Sequence, residues 1–202
     1  MPVNFRNLIL AMTLISCSHR LQMKELKENY KLYSKECLFT DTILNKLKSE
    51  YELLIYSNII DHTGFINNQY FFIGYKKSYW SKIVYKHTRN YKTFDGTSPF
   101  IFSTSFLNKR IGDSILHVFI KNNFFKIQEI NEGCDTARDI IKINCGSGSK
   151  PYDELGMIYK DSVIRKIYNN PKFFDRSCCP GNSDRQIFIK CYEALKNAAN
   201  NE

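Results

Sequence analysis

Gln69-Tyr70-Phe71-Phe72-Ile73-Gly74-Tyr75-Lys76-Lys77-Ser78-Tyr79-Trp80-Ser81-Lys82-Ile83-Val84-Tyr85-Lys86-His87 is the stretch whose reading decides the fold class. Its two arms, Gln69–Tyr75 and Trp80–His87, are aromatic and β-branched, the residue types that fit a pleated surface. Lys76-Lys77-Ser78 between them reads as a turn, so the arms form an antiparallel hairpin. Further on, Asp95-Gly96-Thr97-Ser98-Pro99 is a loop, and Pro99 launches a strand over Phe100–Leu107. Ile115–Lys121 and Phe124–Ile130 flank Asn122-Asn123, a pair suited to the positive φ angles of a type I′ turn, which predicts a second hairpin. Glu132-Gly133 closes it, and Asp139–Cys145 adds a last strand.

Outward from this sheet the periodicity changes. Met23, Leu26, Tyr30, Tyr33 and Cys37 recur at 3-4-3-4 spacing with Lys24, Glu25, Lys27, Glu28 and Lys31 on the other faces. That pattern predicts an amphipathic helix over about residues 20–36. Thr40 or Asp41 caps a second helix carrying Leu44, Leu47 and Tyr51. Residues 51–60 fit an extension of that helix or a strand equally well, and Asp61-His62-Thr63-Gly64 ends either. After the loop Gly146-Ser147-Gly148-Ser149-Lys150-Pro151, the residues Tyr152, Leu155, Tyr159, Val163 and Ile167 share a helical face that Asn169-Asn170-Pro171 stops. Gly156 weakens that helix by ~1 kcal/mol relative to Ala. Ser183-Asp184-Arg185-Gln186 is a capping box for a final helix bearing Ile187, Phe188, Cys191 and Leu195. The expected architecture is α+β: a central, mostly antiparallel sheet of five to seven strands, with helices at the N- and C-terminal ends, in a single domain over residues 17–202.

Residues 1–16 are set apart as a signal peptide. Arg6 supplies a positive end, Leu8–Ile15 is a short apolar run, and Ser16-Cys17-Ser18 follows at once. Eight apolar residues span roughly 12 Å as a helix, well short of a bilayer. Leu14-Ile15-Ser16-Cys17 resembles the lipobox of bacterial lipoproteins, with Leu at −3 and a small residue at −1. The resemblance implies lipidation of Cys17, which becomes the new N-terminus and anchors the chain to a membrane. Ser18 in the next position implies the outer membrane rather than retention at the inner one. A cut after Ser18 is the competing reading, and it gives a secreted soluble protein.

The mature chain is long enough for one buried core. Its basicity is not the mark of a nucleic-acid partner: the net charge is +9, yet Lys outnumbers Arg 21 to 8 and the basic residues are scattered. Readers of nucleic acid more often carry Arg-rich clusters or a recognisable module. An envelope glycan, an anionic polymer or a protein remains as partner. Apart from Cys17 there are six cysteines, Cys37, Cys134, Cys145, Cys178, Cys179 and Cys191. An even number in an exported chain makes all six disulfide candidates. No Cys-x-x-Cys occurs, so a zinc site is not expected, and no cofactor is.

No catalytic motif stands out. H-E-x-x-H, G-x-S-x-G and Walker-type loops are absent, which leaves His62, His87 and His117 as the groups on which an envelope hydrolase would have to rely. Surface roles for the first two and a strand position for His117 are the simpler reading. Ser147-Gly148-Ser149-Lys150-Pro151-Tyr152 resembles the Ser-Gly-x-x-Tyr loop of envelope lysozyme inhibitors, small lipoproteins built on an antiparallel barrel. A face complementary to a basic lysozyme should be acidic, and this chain is basic. The remaining candidate is a binding surface at Tyr75, Tyr79, Trp80 and Tyr85. Strand alternation divides the aromatic residues between two faces, one core and one available to a ligand unless helices cover it.

Overall fold

The computed structural model describes residues 21–33, 35–36, 42–60, 67–88, 100–128, 152–160, 162–169, 171–173 and 181–200. In order these form helix α1 (21–33), strand β1 (Lys35–Glu36), α2 (Thr42–Glu50), β2 (Leu53–Ile60), β3 (Asn67–Lys76), β4 (Tyr79–Thr88), β5 (Phe100–Leu107) and α3 (Lys109–Lys121). A 3₁₀ turn (Phe124–Lys126), β6 (Tyr152–Tyr159), β7 (Ser162–Asn169), the short α4 (Pro171–Phe173) and α5 (Ser183–Asn200) complete them. The seven strands make one sheet in the order β1-β7-β6-β2-β3-β4-β5, and every pairing is antiparallel. The chain is α+β, with helices at both ends. No helix among the described residues is long and apolar enough to cross a membrane.

The opening hairpin is β3–β4. Its turn places Lys77 at φ 46° and Ser78 at φ 74°, the two left-handed residues of a type I′ connection. β5 starts at Phe100, directly after Pro99. Residues 51–60 resolve as β2, the middle strand of the seven. Leu53, Leu54, Ile55 and Tyr56 are all buried there, because both faces of the sheet are covered at that point. A strand covered on both sides shows a continuous apolar run without alternation.

Two expectations are overturned, and they exchange identities. Ile115–Lys121 is the second half of helix α3 rather than a strand, and Phe124–Lys126 is a 3₁₀ turn rather than the start of its hairpin partner. The buried residues Gly112, Ile115, Leu116, Phe119 and Ile120 trace one helical face. Asn122-Asn123 ends that helix instead of turning a hairpin. The Asn122 N–H donates to Val118 O, and Asn123, left-handed at φ 54°, donates its N–H to Ile120 O. The run from Tyr152 to Ile167 is conversely the β6–β7 hairpin, turning at Lys160 (φ 54°), and not a helix. Leu155 and Met157 are buried on one side of β6, Glu154 and Ile158 on the other. Apolar residues filling both faces imitate helical spacing. Gly156 is no helix defect: it lies opposite Tyr56, whose ring occupies the space a Cβ would need.

The final helix is capped one residue earlier than its capping box suggests. The Asn182 side chain, not that of Ser183, accepts the Arg185 N–H at 2.8 Å. Asp184 accepts the Gln128 N–H at 3.0 Å and so ties α5 to the segment after the 3₁₀ turn.

The main core lies between the first face of the sheet and α1, α3 and α5. Leu26 and Tyr30 of α1, Leu116 and Phe119 of α3, and Phe188 and Leu195 of α5 meet Ile55, Ile73, Trp80, Leu155 and Met157. A smaller cluster lines the second face, where Leu47 of α2 and Tyr51, the residue after it, pack with Leu54 and Ile158. Cys191 is a free thiol on the core side of α5 and not a disulfide partner. Burial pushes it up to about 12. Cys17, Cys37, Cys134, Cys145, Cys178 and Cys179 lie outside the residues whose side chains are described, as does the whole of Asp139–Cys145.

Candidate functional site

The aromatic surface expected at Tyr75, Tyr79, Trp80 and Tyr85 is not one surface. Tyr75 and Trp80 pair across the hairpin on the first face, 5.1 Å between ring centroids, and both are buried under the helices. The Trp80 Nε1–H donates to Asp113 Oδ1 at 2.8 Å, which anchors α3 to the sheet. Tyr79, half-exposed, and Tyr85, buried, point to the second face. Of the four, only Tyr85 joins a cluster with polar chemistry. It fails as a contiguous site because the period of two sends alternate residues through the sheet.

The second face carries the candidate site. Register sets two parallel rows across the strands. One runs Phe102, Tyr85, Tyr70, Asn58, Glu154 and Ile167; the next runs Thr104, Ile83, Phe72, Tyr56, Gly156 and Arg165. Tyr70 stacks on Tyr85 at 6.0 Å and on Phe72 at 5.6 Å, giving a continuous aromatic wall. Beside it the Tyr56 hydroxyl donates to Glu154 Oε1 at 2.8 Å, a bond between two buried groups. Burial first, and the Glu154 charge second, hold the Tyr56 phenol well above its ordinary range. Arg165, half-exposed on β7, approaches the same Glu154 oxygen at 3.9 Å. Gly156 is what lets the Tyr56 ring lie flat across β6 and reach that carboxylate.

Asn58 completes the row between Glu154 and Tyr70. It is 2% exposed, and its Oδ1 accepts no hydrogen bond. A buried acceptor without a donor costs roughly 1–3 kcal/mol, and such atoms call for a water or a ligand group. The acceptors here are an amide oxygen and a carboxylate, beside stacked rings. Chemically, that set is complementary to a donor, a hydroxyl or an ammonium, against an aromatic wall that is itself largely buried.

Other candidates disperse. His117 is exposed on α3, not within a strand, and His62 and the side chain of His87 lie outside the described residues, as does the 146–151 loop. Among the described residues, no three metal-ligating side chains converge. A shallow groove of about 370 Å³ between α3 and α5 is floored by Ile111, Ile115, Val118 and Ala198. The barrel that the lysozyme-inhibitor resemblance implies does not form among the described strands, where β1 and β5 are open edges. Tyr70, Phe72 and Tyr85 were visible in sequence as part of an aromatic set. Asn58, Glu154 and Arg165 carried no signal, because their strands had not been recognised as neighbours. No protein-family model matches the chain, and no curated protein matches it.

Proposed function

We propose that the protein is an exported, lipid-anchored binding protein of the cell envelope with no catalytic step of its own. The observation that carries this reading is Met1–Ser18, a charged end, a short apolar run and Leu14-Ile15-Ser16-Cys17. Three residues separate Cys17 from the first described turn of α1, whose Lys24, Lys27 and Lys31 are exposed. A domain tethered so closely lies at the bilayer, and each lysine near anionic headgroups adds ~1 kcal/mol. The acyl chains hold it there, at ~0.8 kcal/mol per CH₂, while charge orients it. Binding rather than hydrolysis is favoured by the chemistry of the second face, where the Asn58 Oδ1, buried and without a donor beside stacked tyrosines, would be satisfied by a hydroxyl such as those of an envelope glycan once the face opens to admit it. A hydrolase reading requires a histidine beside a carboxylate in a cleft; His117, the one of the three whose side chain is described, stands exposed on a helix.

Metabolic labelling with a palmitate analogue tests the anchor. Wild-type protein should take up label and sediment with membranes, and Cys17→Ser should do neither. Unlabelled wild-type protein beginning at His19 would overturn it.

Export also predicts oxidation. Alkylation and intact mass, before and after reduction, should reveal at least two disulfides drawn from Cys37, Cys134, Cys145, Cys178 and Cys179. Cys191 should react only once the chain is unfolded. Free thiols at all these positions in envelope-derived protein would argue for a reducing compartment.

A further inference from the structure

We infer that β5 is a self-complementary edge through which two copies of this chain pair, antiparallel, about a two-fold axis at Thr104. β5 bonds to β4 on one side, and among the described residues no strand pairs with the other. Phe102, Ser103, Thr104, Ser105 and Phe106 are all exposed, Phe106 at 74%. An edge strand presents a row of free N–H and C=O groups. Natural edges are guarded by charge, proline, bulges or shortness. Phe100–Leu107 has eight residues, no charge, no proline and no glycine.

Its sequence also says which partner fits. Phe102-Ser103-Thr104-Ser105-Phe106 reads identically in both directions. In an antiparallel pair, adjacent residue pairs alternate between two hydrogen-bonding types, so a two-fold axis must pass beside one residue facing its own copy. Centred on Thr104, it sets Phe102 opposite Phe106 of the second copy, Ser103 opposite Ser105, and Thr104 opposite Thr104. Centring on Ser103 or Ser105 would match Phe with Thr instead. The Thr104 register alone puts every side chain of the palindrome opposite its own kind, with two Phe–Phe pairs on the second face and the serine pairs on the first. Aromatic and Thr–Thr cross-strand pairs are both favourable.

Charge permits it. Despite the net charge of +9, no charged residue of β5 faces another across this seam. Size sets its strength. Eight residues extend ~27 Å, and a seam roughly 20 Å wide buries about 500 Å² on each copy, at the threshold of a specific interface. The dimer is therefore reversible.

Oxidative cross-linking of the full-length protein in membranes tests the register. Paired Cβ atoms lie about 5 Å apart, within disulfide reach. Thr104→Cys should yield at least tenfold more covalent dimer than Ser103→Cys, whose thiol faces a serine. Sedimentation of the detergent-released protein should show a dimer that Thr104→Lys weakens tenfold or more, with Trp80 emission unchanged as proof of folding. Equal cross-linking at both positions, a wild-type monomer at high concentration, or a Thr104→Cys cross-link to a different protein would each overturn the proposal.

Discussion

Gly112→Ala should cost this protein about 3 kcal/mol or more of stability, although the same change in an exposed helix stabilises by ~1 kcal/mol. The sign reverses because of what Gly112 touches. It lies in the first turns of α3, buried, directly over the indole of Trp80, and a Cβ there would sit 2.5 Å from Trp80 Cδ1 and nearer still to Cγ and Cδ2. The ring has no escape: it is 0% exposed, packed on Tyr75 and fixed by its bond to Asp113 on the same helix. Either α3 rises from the sheet or the indole leaves the core, and overpacking of this kind typically costs 1–3 kcal/mol or more. In a domain of this length each kcal/mol shifts Tm by ~2–4 °C, so a fall of roughly 6–12 °C is expected. Trp80 is the sole tryptophan, so its emission reports from the site itself. Urea titration followed by that emission should show a lower midpoint. An unchanged or raised midpoint would mean that α3 does not seat on Trp80.

Asp153 should make the protein less stable above pH 6 than below it. Burial beneath α5 raises its carboxyl from 3.8 to about 6, and the nearby Lys172 and Lys196 only partly oppose this. Tyr192 beside it is displaced upward to about 12, by burial and then by the Asp153 charge. Between pH 4 and pH 6 the folded state retains a proton that the unfolded chain has already released. The stabilisation is complete below the unfolded value and is lost as pH rises through the folded one. With 1.4 kcal/mol for each tenfold change, and some screening by solvent, about 2 kcal/mol is at stake. Asp153→Asn should therefore leave the unfolding free energy from urea titration almost unchanged at pH 4 and raise it by ~2 kcal/mol at pH 8. A difference between variant and wild type that does not vary with pH would dismiss this account.

The parts of the fold legible in sequence were those where one physical signal acted alone. The β3–β4 arms are aromatic and β-branched around a polar turn, β5 follows a proline, and α1 and α5 show amphipathic stripes. What misled was burial on two sides. β6 sits inside the sheet with both faces covered, so Tyr152, Leu155 and Tyr159 fell by accident on a helical period. In α3, Val118 fills the gap between Leu116 and Ile120 and makes a helix look like an unbroken strand run. Of the Asn122-Asn123 pair only Asn123 takes the left-handed backbone expected of both, Asn122 lying at φ −88°, and the pair ends a helix instead of turning a hairpin. The candidate site was invisible for the same reason. Asn58 lay in a segment that pattern left undecided, and Glu154 in one assigned to a helix. Only the register β2–β6 sets them side by side.

That register also fixes the order in which the chain can be completed. β2 is the middle strand, and its bond partners come from two distant times in synthesis. β3 follows it directly, but β6 arrives late, and the Tyr56–Glu154 bond joins positions 98 residues apart. Until β6 emerges, one edge of the central strand has no neighbour, and α5, which shields the first face, is still to come. Closing so long a loop before any reward is gained makes folding slow. The sequence-adjacent strands β2 to β5 can pair as they emerge, but the centre of the sheet gains its second neighbour only when β6 follows, so the core closes late.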